Sequence, residues 1–192
     1  MIVSTDSAEY AAIARSRGAE IPFFRPAKLA EDVPSEDVLL HALDQMKKKN
    51  LEYDLVACIQ CTTPLVNCQD IDSCIKAAQG EGVDSAITVT KVRERPEWMF
   101  SMNKSKELQV FMGNTGEMRG SWGIRQSFLD LYRPNGACYV TRVKFLRKNK
   151  RIIGDTCIGV EMPRSRSFDI DTEEDLALLD SLIKMETIRK FV

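Results

Sequence analysis

Short apolar runs alternate with amphipathic helical segments along most of this chain, and that alternation is the strongest constraint on its fold. Apolar runs at residues 55–60 and 85–92 indicate strands, while periodic segments beginning near Ser35 and Asp70 indicate helices. Alternation of this kind predicts an open α/β sheet with helices on both faces. The first run has no polar residue inside it, so we expect that strand to be buried on both faces.

Helix starts can be predicted from capping residues. Asp6 with Glu9 forms a D-x-x-E pattern at the first helix, and Thr172 with Asp175 has the equivalent spacing at the last one. Ser35 is expected to cap the helix that follows it. Two further strands are predicted at residues 136–142 and 156–161. The segment 93–130 differs from the rest, because it is polar and its aromatic residues are scattered.

Length and charge limit the classes of function. With 192 residues and 44% apolar composition, the chain is expected to form a single domain over residues 1–192. A net charge of −1 gives no reason to expect a nucleic-acid partner, because binding to a nucleic-acid backbone needs a clustered basic surface. No apolar run approaches the roughly 20 residues that span a bilayer, and no signal peptide is apparent. The expected location is therefore the cytoplasm, or the nucleus in a eukaryotic cell, with no membrane partner.

Six cysteines fit a reducing compartment. Cys58 and Cys61 form a C-x-x-C pattern, which is compatible with zinc or redox chemistry. They adjoin an apolar strand, a second C-x-x-C is absent, and His41 is the only histidine. The favoured interpretation is that the cysteines are reduced and pack as small apolar side chains.

Polar clusters directly follow the apolar runs. In open α/β sheets, ligands bind at this position, beyond the carboxyl ends of the strands. The sharpest cluster is Asp169-Ile170-Asp171. Residues two apart in an extended segment project to the same side, so both carboxylates can meet at one point. Two close carboxylates suit a hard cation such as Mg²⁺. The alternative is that Asp171 helps to cap the last helix and that Asp169 is a surface charge.

The clusters occur in an order that resembles the acylneuraminate cytidylyltransferases, or CMP-sialic acid synthetases. The matching segments are VSTDSAEYAAIARSRGAEIPFFRPAKLAED, IQCTTPL, RQSFLDLYRPNGACYV and RSFDIDTEEDL. The resemblance implies a doubly wound, Rossmann-like α/β fold of the nucleotide-diphospho-sugar transferase type, with a mixed, mostly parallel sheet. It implies transfer of CMP from CTP to a sialic acid-like nine-carbon sugar acid, with release of pyrophosphate. It also implies a cytoplasmic homodimer whose dimerisation arm is segment 93–130.

The resemblance assigns roles to individual residues. Asp169 and Asp171 match the Mg²⁺-binding aspartates and are the catalytic candidates. Ser35 loosely matches a nucleotide-binding residue. The residues matching the sugar-acid pocket are Gln60, Arg125, Arg133, Asn135 and Tyr139. An arginine is suited to the sugar carboxylate, which a guanidinium binds through two hydrogen bonds.

Each of these residues also has a purely structural interpretation. Asn135-Gly136 is a common turn dipeptide, and Tyr139 could be a core residue. Arg125 and Arg133 could pair with surface acids such as Asp130. Gln60 could simply end its strand.

One motif of the family is missing. The loop of the form A-R-x-G-S-K-G, which holds the triphosphate of CTP, does not occur in these 192 residues. We therefore expect an unpaired strand edge with exposed apolar surface, and weak catalysis by this chain alone. The alternative function is a catalytically incomplete subunit that binds the sugar acid or a full-length partner. Legionaminate, pseudaminate and Kdo are alternative substrates of related synthetases.

Overall fold

The computed structural model describes residues 1–94, 96–111 and 129–184. Five helices and six strands are described: α1 (Ala8–Ser16), α2 (Ser35–Lys47), β1 (Leu55–Ile59), α3 (Cys68–Ala78), β2 (Ser85–Lys91), β3 (Phe100–Met102), β4 (Leu108–Val110), β5 (Tyr132–Arg142), α4 (Val143–Asn149), β6 (Cys157–Glu161) and α5 (Glu173–Lys184). Short 3₁₀ turns occupy Ala27–Leu29, Pro96–Trp98 and Arg164–Arg166.

The main sheet has the strand order β1-β5-β2-β6. Strand β5 runs antiparallel to both of its neighbours, whereas β2 and β6 are parallel. Consequently β1, β2 and β6 all point the same way and only β5 is reversed. The sheet is therefore mixed and mostly parallel in direction, as predicted. A separate parallel bridge joins Ile2 to Glu20.

Helices pack on both faces of this sheet. On one face, Cys74 and Ala78 of α3 lie against Ala86, Cys138 and Val140. On the other face, Leu146 of α4 packs between Leu40 and Leu43 of α2, with Val56 at the edge of the cluster. The doubly wound arrangement expected from strand–helix alternation is confirmed.

The helix starts differ in detail from the prediction. Ser7, not Asp6, caps α1, because its hydroxyl accepts a hydrogen bond from the Tyr10 amide. Ser35 is the first residue of α2 and makes no capping hydrogen bond; Pro34 precedes it. Asn67 caps α3, and Asp70 is its reciprocal partner in a capping box rather than the helix start.

The predicted cap of the last helix is confirmed. The Thr172 hydroxyl accepts from the Asp175 amide at 3.2 Å, and the Asp175 carboxylate accepts from the Thr172 amide at 2.9 Å. The Thr172 hydroxyl also donates to the Asp175 carboxylate at 2.8 Å, and this bond, together with those from the Asp171 and Thr172 amides, lowers the pKa of Asp175.

Strand β5 contains a bulge at Asn135-Gly136. Its register against β2 shifts between the pairs Ile87–Tyr139 and Val89–Pro134, and Gly136 has a φ of +79°. The Thr88 hydroxyl accepts from the Cys138 amide at 2.9 Å and donates to the Cys138 carbonyl at 3.1 Å, so the bulged backbone remains hydrogen-bonded. Asn135-Gly136 is therefore a bulge within a strand. It is neither a turn between two strands nor a regularly paired part of β5.

Strand β1 lies at an open edge of the sheet. Among the described residues it pairs only with β5. Ala57 and Ile59 are exposed, so the expectation that β1 is buried on both faces is wrong. Among the described residues, the edge of β1 that faces away from β5 therefore carries unpaired backbone groups next to exposed apolar side chains.

The described part of segment 93–130 includes a hairpin of β3 and β4. Its side chains Met102, Leu108 and Phe111 are more than half exposed. In the part of the chain that the structure covers, none of the helices has the length and apolarity needed to cross a membrane.

Candidate active site at the carboxyl end of β1

The buried Thr63 connects the loop after β1 with the loop after β6. The latter contains Asp169 and Asp171 and is called the aspartate loop below. The Thr63 hydroxyl lies 3.3 Å from the Asp169 Oδ1 atom and 3.3 Å from the Asn135 carbonyl oxygen. Thr63 is fully buried and Asp169 is half-buried. The residues that follow β1, the β5 bulge and the loop after β6 therefore converge on one point, as the position of the polar clusters predicts.

Gly136 allows this convergence. A Cβ atom at position 136 would lie 2.9 Å from Asp169 Oδ2 and 3.0 Å from Thr63 Oγ1. Those separations are shorter than carbon and oxygen atoms tolerate without displacement. Glycine is required here for space and for its positive φ, so the bulge is shaped to accept the Asp169 carboxylate.

Backbone hydrogen bonds fix the same loops. The Ile170 amide donates to the Thr62 carbonyl at 2.9 Å, and the Gln60 amide donates to the Ala137 carbonyl at 3.3 Å. The first bond places Asp169 beside the loop after β1. The second places the backbone of the half-buried Gln60 beside β5.

Asn135 is built into the protein interior. Its side-chain amide donates to Ser167 Oγ at 2.9 Å and lies 3.2 Å from Met162 Sδ, while its oxygen accepts from the Ala137 amide. The residue is 1% exposed. Asn135 thus joins the β5 bulge to the segment just before Asp169, and its polar atoms are directed into the chain. Sugar-acid binding by Asn135 remains a prediction.

The Asp171 carboxylate is not a helix cap. Only the backbone amide of Asp171 takes part in the cap, and it donates to the Asp175 carboxylate at 3.2 Å. Within the described residues, neither the Asp169 nor the Asp171 carboxylate forms an ion pair with a lysine or arginine. Asp171 is exposed. Both aspartates therefore keep oxygen atoms available for a ligand.

This donor set fits a magnesium ion. Two carboxylates two residues apart, with water completing the coordination, match the preference of Mg²⁺ for few protein oxygens and several waters. Among the residues that the structure describes, no group of three or more histidine, cysteine or acidic side chains is positioned to hold a metal ion, so a protein-only cage is not formed there.

Tyr139 borders the site and Arg133 lies further from it. Burial and the nearby Asp169 carboxylate raise the pKa of Tyr139. Arg133 is exposed, and its Nη1 atom donates to the Pro134 carbonyl at 3.3 Å. Arg133 therefore precedes the bulge, with its guanidinium at the surface.

One predicted residue, Ser35, has no hydrogen bond to this convergence in the described structure, and another cannot be placed relative to it. Ser35 is half-buried at the start of α2. Arg125 lies outside the described residues. The cysteines of the C-x-x-C pattern are unpaired, with Cys58 half-buried in β1 and Cys61 exposed.

Sequence reasoning assigned no role to three residues whose side chains make contacts in or near these loops: Thr63, Asp70 and Arg166. Asp70 accepts two hydrogen bonds from the Arg166 guanidinium, at 3.1 and 2.7 Å. Thr63 carried a weak signal, since it lies in the polar cluster after β1. The partnership of Asp70 with Arg166 had no local signal, because 96 positions separate them.

A model of the cytidylyltransferase family matches residues 1–113, which is more than half of the chain. The chain belongs to the cytidylyltransferase family. The match covers the elements from α1 to the β3–β4 hairpin, and therefore includes the loop that contains Gln60 and Thr63.

Individual proteins extend this similarity over nearly the whole chain. The flagellin modification protein B of Campylobacter coli is 27% identical and covers 98% of this chain and 79% of its own length. The CMP-N,N'-diacetyllegionaminic acid synthase of Legionella pneumophila is 26% identical, over 96% of this chain and 78% of that protein. The N-acylneuraminate cytidylyltransferase of Escherichia coli O18:K1:H7 is 28% identical over 93% of this chain, but only 40% of that longer protein is matched.

A solved structure supports the fold of this cytidylyltransferase. A CMP:2-keto-3-deoxy-manno-octonic acid synthetase, determined as a complex with CTP, superimposes with a TM-score of 0.63. The alignment covers 94% of this chain and 79% of that one, at 13% identity. The shared fold agrees with the α/β class predicted from the sequence.

Proposed function

We propose that this cytidylyltransferase transfers CMP from CTP to an acylneuraminate or a closely related sugar acid and releases pyrophosphate. The observation that carries the proposal is the placement of Asp169 against Gly136 and Thr63 at the carboxyl end of β1. The names of the relatives support the substrate class, since they include synthases for acylneuraminic, legionaminic and pseudaminic acids.

The proposed reaction is an in-line displacement. The anomeric hydroxyl oxygen of the sugar forms a bond to the α-phosphorus of CTP, and the bond from that phosphorus to the bridging oxygen of pyrophosphate breaks. The hydroxyl proton leaves to solvent or a nearby base. A magnesium ion would supply charge stabilisation on the phosphate oxygens, and Asp169 and Asp171 would hold it. Thr63 keeps the Asp169 carboxylate oriented.

The sugar acid is proposed to bind beside this position. Gln60 and Tyr139 offer an amide and a phenol for its hydroxyl groups, and Arg125 and Arg133 are the candidates for its carboxylate. Asn135 supports this pocket through its hydrogen bond to Ser167.

The nucleotide is proposed to bind on the side that carries the N-terminal segments. The buried Ser4 Oγ and Arg25 Nε atoms have no hydrogen-bond partner within the described residues. The Arg25 backbone amide donates to the Thr5 carbonyl at 2.9 Å, so the two segments that carry these atoms run side by side. Unsatisfied buried donors favour a polar ligand at this position. Ser35 is the sequence-based candidate for the same ligand.

The first test is product formation. Purified protein is incubated with CTP, Mg²⁺ and each of N-acetylneuraminate, N,N'-diacetyllegionaminate, pseudaminate and Kdo, and the CMP-sugars are separated by chromatography. We expect slow formation of at least one CMP-sugar, because the chain lacks the A-R-x-G-S-K-G loop. Asp169→Asn should lower that rate by at least about 100-fold, through loss of electrostatic stabilisation. Asp180→Asn, on the exposed face of α5, is the matched control and should retain the rate.

Calorimetry separates the two candidate functions. Binding of CTP with Mg²⁺ as well as a sugar acid supports the enzyme. Binding of a sugar acid without CTP, and without product, supports the alternative of a sugar-acid-binding or dimer-partner subunit, which the missing loop favours. Absence of product and of binding to either substrate would contradict both.

A homodimer is also proposed. The exposed Met102 and Leu108 are cross-strand neighbours in the β3–β4 hairpin and form an apolar patch of the kind that is usually buried at an interface. Light scattering at micromolar concentration should give twice the chain mass, and the double variant Met102→Lys/Leu108→Lys should reduce it to the mass of one chain. A wild-type monomer under those conditions would count against this proposal.

A further inference from the structure

One ion pair joins the first turn of α3, which follows the loop after β1, to the 3₁₀ turn that precedes Asp169. Arg166 Nη2 lies 2.7 Å from Asp70 Oδ1, and Arg166 Nε lies 3.1 Å from Asp70 Oδ2. The guanidinium therefore binds both carboxylate oxygens in a fork. This geometry fixes the direction of both side chains, which a single contact between flexible chains does not.

Burial distinguishes this pair from the other ion pairs of the described residues. Its side chains are 16% and 9% exposed, whereas the other pairs are substantially more accessible to water. Charges removed from water interact strongly and tolerate little displacement. The Arg166–Asp70 pair is thus a rigid connection rather than a solvated surface contact.

The Asp70 end of the pair is fixed by helix α3. The Asp70 carboxylate accepts from the Asn67 amide at 3.1 Å, and the Asp70 amide donates to Asn67 Oδ1 at 2.9 Å. This capping box holds the carboxylate at the N-terminus of α3, where the helix dipole favours a negative charge. The loop that enters α3 is the one that contains Thr63.

The Arg166 end lies at the start of the aspartate loop. Arg166 ends a 3₁₀ turn three residues before Asp169. Ser167 next to it accepts from Asn135 and donates to the Pro163 carbonyl at 3.0 Å. The path of the chain toward Asp169 is thus set by contacts at Arg166 and Ser167 before the carboxylate itself meets Thr63.

We propose that Arg166 and Asp70 are positioning residues for the metal site, and that their fork sets the placement of the Asp169 and Asp171 carboxylates. This inference rests on the proposed function, because it takes these aspartates as the ligands of a divalent cation. Neither Arg166 nor Asp70 touches the cation in this scheme. Their effect is transmitted through the short backbone segment from Arg166 to Asp169.

The test measures binding of Mn²⁺, a paramagnetic substitute for Mg²⁺, by electron paramagnetic resonance without substrates. Arg166→Lys keeps the positive charge and removes the fork. We expect it to weaken Mn²⁺ affinity by about 10-fold, the lower end of the range for partners that orient metal ligands. Asp70→Asn retains the shape of the side chain and should weaken Mn²⁺ binding in the same direction. All titrations are done well below each variant's melting temperature, measured by circular dichroism.

Arg147→Lys is the matched control. Arg147 donates to Asp44 at 2.7 Å, in an exposed pair between α4 and α2 that is remote in sequence from the aspartate loop. It should leave Mn²⁺ affinity unchanged. Asp169→Asn defines the site itself and should abolish binding.

The outcomes separate the two proposals. If Asp169→Asn abolishes Mn²⁺ binding while Arg166→Lys and Asp70→Asn both stay within twofold of the wild type, the positioning role is refuted and the metal site stands. If the wild type does not bind Mn²⁺, or Asp169→Asn binds as the wild type does, the proposed metal site fails and the positioning role fails with it.

Discussion

Replacing Gly136 with alanine is expected to destabilise the protein and to disrupt cation binding at the same time. The new Cβ would lie 2.9 Å from Asp169 Oδ2 and 3.0 Å from Thr63 Oγ1, so one of these groups must move. The φ of +79° adds about 1–2 kcal/mol of backbone strain for a residue other than glycine. Forced repacking typically costs a further 1–3 kcal/mol or so.

Gly82→Ala separates backbone strain from steric displacement. Gly82 has a φ of +71°, but a Cβ there would meet no atom within 4 Å. Urea unfolding followed by circular dichroism should show a larger loss for Gly136→Ala than for Gly82→Ala, by at least about 1 kcal/mol. Only Gly136→Ala should weaken Mn²⁺ binding. Equal losses in the two variants, with Mn²⁺ affinity unchanged, would show that the close approach at Gly136 has no consequence.

Truncation of Leu146 is expected to have the largest effect on stability. Leu146 is fully buried and packs against Leu40 and Leu43, which attach α2 to the sheet through α4. Leu146→Ala should lower the free energy of unfolding by about 2–5 kcal/mol, because it removes apolar contact and leaves a cavity. Urea unfolding provides the measurement.

Leu178→Ala is the matched control, since Leu178 on α5 is 52% exposed. The same chemical change there should alter the free energy of unfolding by no more than about 0.5 kcal/mol. A loss at Leu146 as small as that at Leu178 would contradict the described packing of α4.

Sequence patterns predicted the main elements because these depend on local periodicity. The helices predicted to begin near Ser35 and Asp70, the two strands of the early chain and the Thr172 cap all follow from residue spacing, although Asn67 is the cap of the second helix. Two other errors have different causes, one local and one not. Asp6 and Ser7 are adjacent, and both are of a residue type that caps helices. Only the Ser7 side chain makes the capping hydrogen bond. The apolar composition of β1 suggested burial, but its position at the sheet edge depends on which strands are its neighbours.

The candidate site was predictable in part. The rule that ligands bind at the carboxyl ends of strands correctly brought the Gln60 loop and Asp169 together. The role of Gly136 was not predictable, because it depends on the distance to a carboxylate 33 positions away in the sequence. The burial of Asn135 was also unforeseen, since the same dipeptide forms exposed turns in other settings. Contacts between distant segments determine both features.

The insertion of β5 between β1 and β2 has a consequence for biosynthesis. Both of these early strands pair with β5 rather than with each other, so a nascent chain that ends before residue 132 cannot complete the sheet. The carboxylate of Asp169 meets Thr63 across 106 positions, later still. The ribosome must therefore synthesise the chain at least as far as Asp169 before the loop after β1 acquires its partners. Until then the edges of β1 and β2 are open, and this is the stage of synthesis at which a chaperone would be most useful.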